Sequence, residues 1–323
     1  MGNSTPDSLR ASVVIPTFNG AARFPRVLAA LAEQTAPDGS FEVLVVDNAS
    51  TDNTAEVAER DPSTQRLRNR GCEVRVVAEP RRGQTYARIC GVRSARSRLV
   101  CFLDDDNIPE REYIANGLIA FEDSSLALAV SRISARWEVA PPPSILRRQH
   151  LFAINDYLGD SAHNWGAGPT IVPTVTAGMW VRRDAFLTAV PCDRVDLLLS
   201  GRVGRQLAGG EDIEIGFLIG KAGYRRGYAP TLRIAHEIPR VRFETAYVIR
   251  LIEAIVRGEL TLREKYEGKR FCFRDRVIAS LRLAGALCAI PALLMMRRDG
   301  RREILFVIAA RRAYLRGPTK SDA

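Results

Sequence analysis

Three short apolar runs constrain this chain more than anything else in it. Residues 12–16, 41–46 and 98–103 are built mainly from Val, Ile, Leu, Phe and Cys, and each stops on polar residues. The stops are Pro16-Thr17, Asp47-Asn48 and Asp104-Asp105-Asp106-Asn107. Runs of this length suit buried strands rather than helices. A fourth run, 73–78, has the same character. Between the runs the spacing turns helical. Over 21–34, Phe24, Val27, Leu28 and Leu31 share one face. Ser50 or Thr51 can cap a helix at 55–60, and 84–95 reads as another. Four strand–helix units with continuous apolar strands predict an α/β fold. Its sheet is expected to be mostly parallel and covered by helices on both faces. Ligands of such sheets bind beyond the carboxyl ends of the strands, where the three polar stops fall.

Further along, 113–122 reads as a helix and Pro141-Pro142-Pro143 breaks the chain. Residues 155–176, rich in Gly, Asn, Pro and Thr, read as a loop over the site. A short strand (176–181) and a helix (184–189) follow, then a helix at 211–222 with acids in its first turn.

The acidic run Asp104-Asp105-Asp106 is the strongest chemical signal. Adjacent carboxylates repel one another unless a cation lies among them. Mg²⁺ or Mn²⁺ suits carboxylate oxygens and keeps positions for substrate phosphate. A solvated turn before a helix is the plainer alternative. Glu211-Asp212, after Gly209-Gly210, can point a carboxylate into a cleft, or can merely favour the helix dipole; Glu214 falls in that second class. His236, at the end of the apolar run from Leu232, could complete a metal site or serve only as a hydrogen-bonded structural residue. Arg81, Arg82 and Arg88 follow the third run, and Arg88 could reach a diphosphate. Trp165 and Trp180 could stack on a sugar ring, or Trp180 could belong to the core. No P-loop and no G-x-G-x-x-G is present.

These segments resemble the inverting family-2 glycosyltransferases of the GT-A fold. The likeness runs from Val13-Val14-Ile15-Pro16-Thr17-Phe18-Asn19 and Val45-Val46-Asp47-Asn48 through the acidic run 102–109. It continues with Thr176-Ala177-Gly178-Met179-Trp180 and ends with Gly210-Glu211-Asp212 to Gly223-Tyr224. It covers about residues 10–240 in the family's order. The resemblance implies a nucleotide-diphosphate-sugar donor held by Pro16, Thr17, Asp47, Arg88, Asp104 and Asp105. It implies Mg²⁺ or Mn²⁺ on Asp106, a site that His236 is expected to complete, and Asp212 as general base. Glu211 and Trp180 would lie on the acceptor side. Asn48 stands where many members carry a second Asp. The processive Q-x-x-R-W motif is absent, so a single transfer is expected, to a glycan or lipid-linked acceptor in polysaccharide or glycolipid biosynthesis. A nucleotidyltransferase is the alternative enzyme; it would not need Asp212.

Charge divides the chain at about residue 245. Residues 245–323 hold 17 Lys/Arg against 8 Asp/Glu, which is +9 of the net +10. Two domains are therefore expected: a catalytic one at 10–244 and a basic, amphipathic helical segment at 245–323. The apolar stretch 277–296 carries Arg282 and Pro291, with arginines on both sides, unlike a spanning helix. It is expected to lie in the membrane interface, or as a shallow hairpin, with arginines on anionic headgroups. A buried helix pair is the alternative. The basic tail also raises a nucleic-acid-binding reading, which predicts interleaved aromatics. The tail's aromatics are few, so no nucleic-acid partner is expected. Six cysteines without a C-x-x-C pair, and a polar N-terminus, suggest a reduced compartment: cytoplasmic, attached to the inner membrane face.

Overall fold

The structure is a computed structural model that describes residues 9–199, 209–268 and 298–318, with Asp275, Ser280 and Leu281. The strands are β1 (Ala11–Thr17), β2 (Phe41–Asp47), β3 (Val74–Ala78), β4 (Leu99–Phe102), β5 (Asn107–Pro109), β6 (Leu126–Trp137), β7 (His163–Gly166), β8 (Met179–Arg182) and β9 (Arg225–Ile238). The helices are α1 (Pro25–Ala32), α2 (Thr54–Arg60), α3 (Pro62–Asn69), α4 (Gln84–Ser94), α5 (Tyr113–Ala120), α6 (Pro143–Leu146), α7 (Arg183–Ala189), α8 (Glu211–Lys221), α9 (Thr245–Glu267) and α10 (Arg298–Arg316). The chain groups into two compact units. One takes Met1–Arg136, Ala153–Leu198 and Asp212–Glu237; the other takes Trp137–Phe152, Leu199–Glu211 and Ile238–Ala323.

The first unit is built on a single sheet of strand order β3-β2-β1-β4-β8-β6-β9-β5, with β7 paired to β9. Its first half is parallel, as the continuous apolar runs predict. Every residue of β1 is buried, and β1 runs in register between β2 and β4, with Val14 opposite both Leu44 and Phe102. The expectation of a mostly parallel sheet needs correction beyond β4. There β4 pairs with β8, β8 with β6, and β5 and β7 with β9, all antiparallel, so the sheet is mixed. β6 and much of β9 escape the sequence pattern because polar residues such as Ser131, Arg132 and Arg226 interrupt their apolar positions.

A large apolar cluster lies against one face of this sheet. Val14, Leu44, Val100, Phe102, Leu128 and Val181 pack with Ile89 and Val92 of α4 and Phe186 of α7. Helix α4 approaches β1 closely through Gly91, where a Cβ would stand 2.2 Å from a Val14 methyl. That approach brings Arg88, one turn earlier, to the carboxyl edge of the sheet.

In the second unit α9 packs along α10. Trp137 meets Phe152 and Phe243 edge-on, at 5.8 and 5.9 Å between ring centroids. Arg147 and Arg148 pair with Glu303, and Ser144 with Asp299, tying α6 to α10. Among the described residues no helix is long and apolar enough to cross a membrane. The apolar stretch 277–296 lies, but for Ser280 and Leu281, outside the described residues.

Candidate active site

The parallel register brings the polar stops to one edge. Thr17 lies opposite Asp47, and Leu103 donates its backbone N–H to Val14, so the acidic run leaves the sheet beside them. Here the three aspartates part company. Asp105 turns inward, and its oxygens accept from the Thr17 hydroxyl at 2.7 Å and from Arg23 at 2.7 and 3.1 Å. Burial pushes its carboxyl up despite these donors. Asp105 is therefore a strut between β1 and the acidic turn. Asp104 stays partly open, 3.4 Å from the guanidinium of buried Arg88. Asp106 lies 3.5 Å from His236 Nε2, and both side chains are about nine-tenths buried. The pairing of Asn107 with His236 across β5 and β9 creates that proximity.

Asp47 and Asn48 also divide their work. Asp47 accepts from the Ser50 N–H at 3.1 Å, holding a turn in which Ala49 adopts φ 57°. Asn48 is buried. Its amide donates to the carbonyls of Glu79 and Arg81 at 3.2 and 2.7 Å, and accepts from the Gly83 N–H at 2.7 Å. An aspartate could not donate those bonds, so Asn48 is a clamp on the loop after β3. Glu79 in that loop is held below the usual carboxylate range, mainly by its hydrogen bond from Arg81. Pro16 is buried within β1.

Helix α8 carries Glu211 and Asp212 at its start, where the positive φ of Gly210 turns the chain into the helix. Asp212 keeps part of its surface open. Even so, surrounding protein pushes its carboxyl up, against the pull of Arg88. Arg88 is thus electrostatically shared between Asp104 and Asp212. Glu211 is buried, and so is Glu214.

Trp180 requires a correction. The ring is 0% exposed, with Tyr113 and Phe121 at 5.8 and 6.2 Å between centroids. A Cβ at Gly117 would stand 2.2 Å from it. A ring with no open face cannot stack on a sugar, so Trp180 belongs to the core.

For a divalent cation the donor set is small. Among the described residues no group of three or more His, Cys, Asp or Glu side chains stands at metal-holding spacing. Asp106 and His236, one carboxylate and one imidazole close together and buried, are the pair that would hold such an ion.

Residues 12–187 match the family model described as glycosyl transferase family 2. The chain belongs to that family. The chain is 30% identical over 117 residues to glycosyltransferase AglE of Haloferax volcanii, covering 36% of this chain and 37% of that protein. It is 38% identical over 111 residues to validoxylamine A glucosyltransferase of Streptomyces hygroscopicus subsp. jinggangensis, covering 34% and 25%. The matches thus span well under half the length of these relatives. Among solved structures, the mannosyltransferase PcManGT of Pyrobaculum calidifontis, in complex with GDP-Man and Mn²⁺, superposes with a TM-score of 0.59 at 21% identity, over 96% of this chain and 88% of that one. TarS of S. aureus with UDP-GlcNAc gives 0.51 at 13% identity, over 97% and 93%. These likenesses establish the GT-A fold for this chain. Family membership favours neither the nucleotidyltransferase nor the nucleic-acid-binding alternative.

Proposed function

We propose that this glycosyltransferase transfers a sugar from a nucleoside-diphosphate donor to an acceptor hydroxyl with inversion, residues 10–244 carrying the reaction. The observation that carries this reading is the convergence of Asp104, Asp106, Arg88, His236 and Asp212 at one sheet edge, drawn from the turn between β4 and β5, from α4, from β9 and from α8. Pro16, Thr17 and Asp47 line the nucleotide end. Asp106 and His236 hold Mg²⁺ or Mn²⁺, which when bound offsets charge on the diphosphate leaving group.

Asp212 takes the proton of the acceptor hydroxyl. Burial raises its carboxyl pKa, which makes it a better proton acceptor than an ordinary aspartate. Arg88, between Asp104 and Asp212, lowers the repulsion between the two carboxylates. Glu211, one residue before the base, lies toward the acceptor. Supporting the donor class, PcManGT was solved with GDP-Man and Mn²⁺, and TarS with UDP-GlcNAc. Polysaccharide or glycolipid biosynthesis is the setting proposed.

Calorimetric titration with UDP, GDP and dTDP, with and without Mn²⁺, tests the donor site. The expected result is Mn²⁺-dependent binding of one diphosphate that Asp106→Ala abolishes. No binding of any diphosphate would refute the donor reading.

The tail, 245–323, is proposed to attach the enzyme peripherally to the anionic cytoplasmic face of a membrane. Its +9 net charge supports this, together with the part-exposed Leu305, Val307 and Tyr314 of α10 among its arginines. The enzyme should float with phosphatidylserine-containing vesicles at low salt and be released by high salt. Equal recovery with neutral vesicles would refute it.

A further inference from the structure

Arg226, in β9, is 0% exposed and, among the described residues, has only neutral oxygens as partners. Burial accordingly pulls its pKa down. A guanidinium carries five N–H groups, and here all five are spent on oxygens of the adjoining segments. Nε donates to the carbonyl of Gly166 at 3.4 Å. Nη1 donates to those of Thr170 at 2.9 Å and Gly216 at 3.0 Å. Nη2 donates to the carbonyl of Gly168 and the hydroxyl of Thr170, both at 3.0 Å. Four of these acceptors lie in residues 166–170; the fifth is in the middle of α8. The Gly168 N–H adds a bond to the Gly220 carbonyl of α8 at 2.7 Å. Helix α8 is cut away to admit these partners. A Cβ at Gly220 would stand 2.2 Å from Arg226 Cζ, and one at Gly216 would stand 2.4 Å from a Thr174 methyl. Buried Thr174 ends the strapped segment, and its hydroxyl donates to the backbone carbonyl of Asp212 at 2.9 Å.

We propose that Arg226 is a positioning residue: it straps residues 166–174 onto helix α8 and, through Thr174, fixes the first turn that carries Asp212. A buried arginine bonded only to neutral oxygens is costly to fold around. Its cost is offset only by saturating its donors, which requires this loop and this helix in this arrangement. The consequence for catalysis rests on the reading of Asp212 as base; the strap itself does not.

The test compares Arg226→Met, Arg226→Lys, Thr174→Val and Thr174→Ser in the full chain. Hydrogen exchange is followed at 163–174 and at the first-turn amides of α8. Mn²⁺-supported hydrolysis of UDP-GlcNAc and of GDP-mannose supplies kcat and KM, and UDP and GDP supply dissociation constants. Misplacing a reacting group by about 1 Å can cost roughly 10²-fold. The expected result is therefore a kcat lowered about ten- to a hundredfold in Arg226→Met and Thr174→Val. KM and diphosphate affinity should hold within about twofold, since no donor-edge group is touched. Thr174→Ser should restore the rate. Arg226→Lys should restore it only in part, because an ammonium cannot span the same five acceptors. Exchange should quicken at both segments in Arg226→Met, and chiefly in the first turn of α8 in Thr174→Val. Unchanged first-turn exchange in both variants would overturn the proposal, whether or not the sugar nucleotides turn over. So would a loss of diphosphate binding that tracks the loss of rate. Retention of full turnover by Asp212→Asn, with the exchange results as expected, would remove the base reading and leave the strap.

Discussion

Replacing Asp212 by asparagine should remove most turnover and yet make the protein more stable at neutral pH. The amide keeps an oxygen for the Ile213 N–H, which Asp212 accepts at 3.0 Å, so the helix start is preserved. Arg88 keeps Asp104 at 3.4 Å. What disappears is the ability to take a proton. General-base catalysis is worth roughly 10²- to 10⁴-fold, about 2.7–5.4 kcal/mol of barrier. The stability effect follows from linkage. Burial raises the Asp212 carboxyl above its ordinary pKa, so ionising it opposes folding. That penalty is absent below the unfolded value of about 3.9, where the group is neutral in both states. It grows as pH rises through the folded value. The variant should therefore melt above wild type at pH 7–8, with the gap closing toward pH 4. In wild type, the acid limb of kcat/KM should lie above the ordinary aspartate range, and it should be missing in the variant's residual activity. Single-turnover rates and calorimetric melting across pH measure both. Turnover retained within tenfold would refute the base assignment. A variant melting below wild type at pH 8 would refute the burial argument.

Asn48→Asp should cost about 1–3 kcal/mol, because two buried carbonyls lose their donor, and should weaken diphosphate binding as the loop after β3 loosens; urea denaturation and calorimetry report the two effects. Asp105→Ala should destabilise by freeing Thr17 and Arg23 while leaving Mn²⁺ affinity largely intact, the opposite of Asp106→Ala; isothermal titration with Mn²⁺ separates them. Trp180→Ala should cost about 3–5 kcal/mol by thermal melting, with the donor KM of the folded fraction unchanged. Ala49→Gly should gain up to about 1 kcal/mol by relieving a left-handed alanine, and an unchanged melting temperature would show that the turn is unstrained.

The amino-acid sequence alone carried the parallel half of the sheet and the edge where chemistry happens. Those signals are local: a buried strand must be apolar along its length, and Thr17, Asp47 and Asp104 stand where the apolar runs stop. The individual duties of those residues are not local. Asp105 looks like its two neighbours in sequence, and only the approach of Thr17 and Arg23, some eighty residues away, turns it into a strut. Asn48 reads as a departure from a motif until the loop after β3 reaches it. Trp180 offers a sugar platform until Tyr113, Gly117 and Phe121 close over its ring. His236 gains its place beside Asp106 from the antiparallel pairing of β5 and β9, in the half of the sheet whose mixed polar pattern hides it. Arg226 shows no sequence signal at all, because its five acceptors are backbone oxygens and a threonine hydroxyl that only the fold brings within reach. Burial and long-range hydrogen bonding are properties of the packed chain, and they decided which polar residues face the site and which hold it in shape.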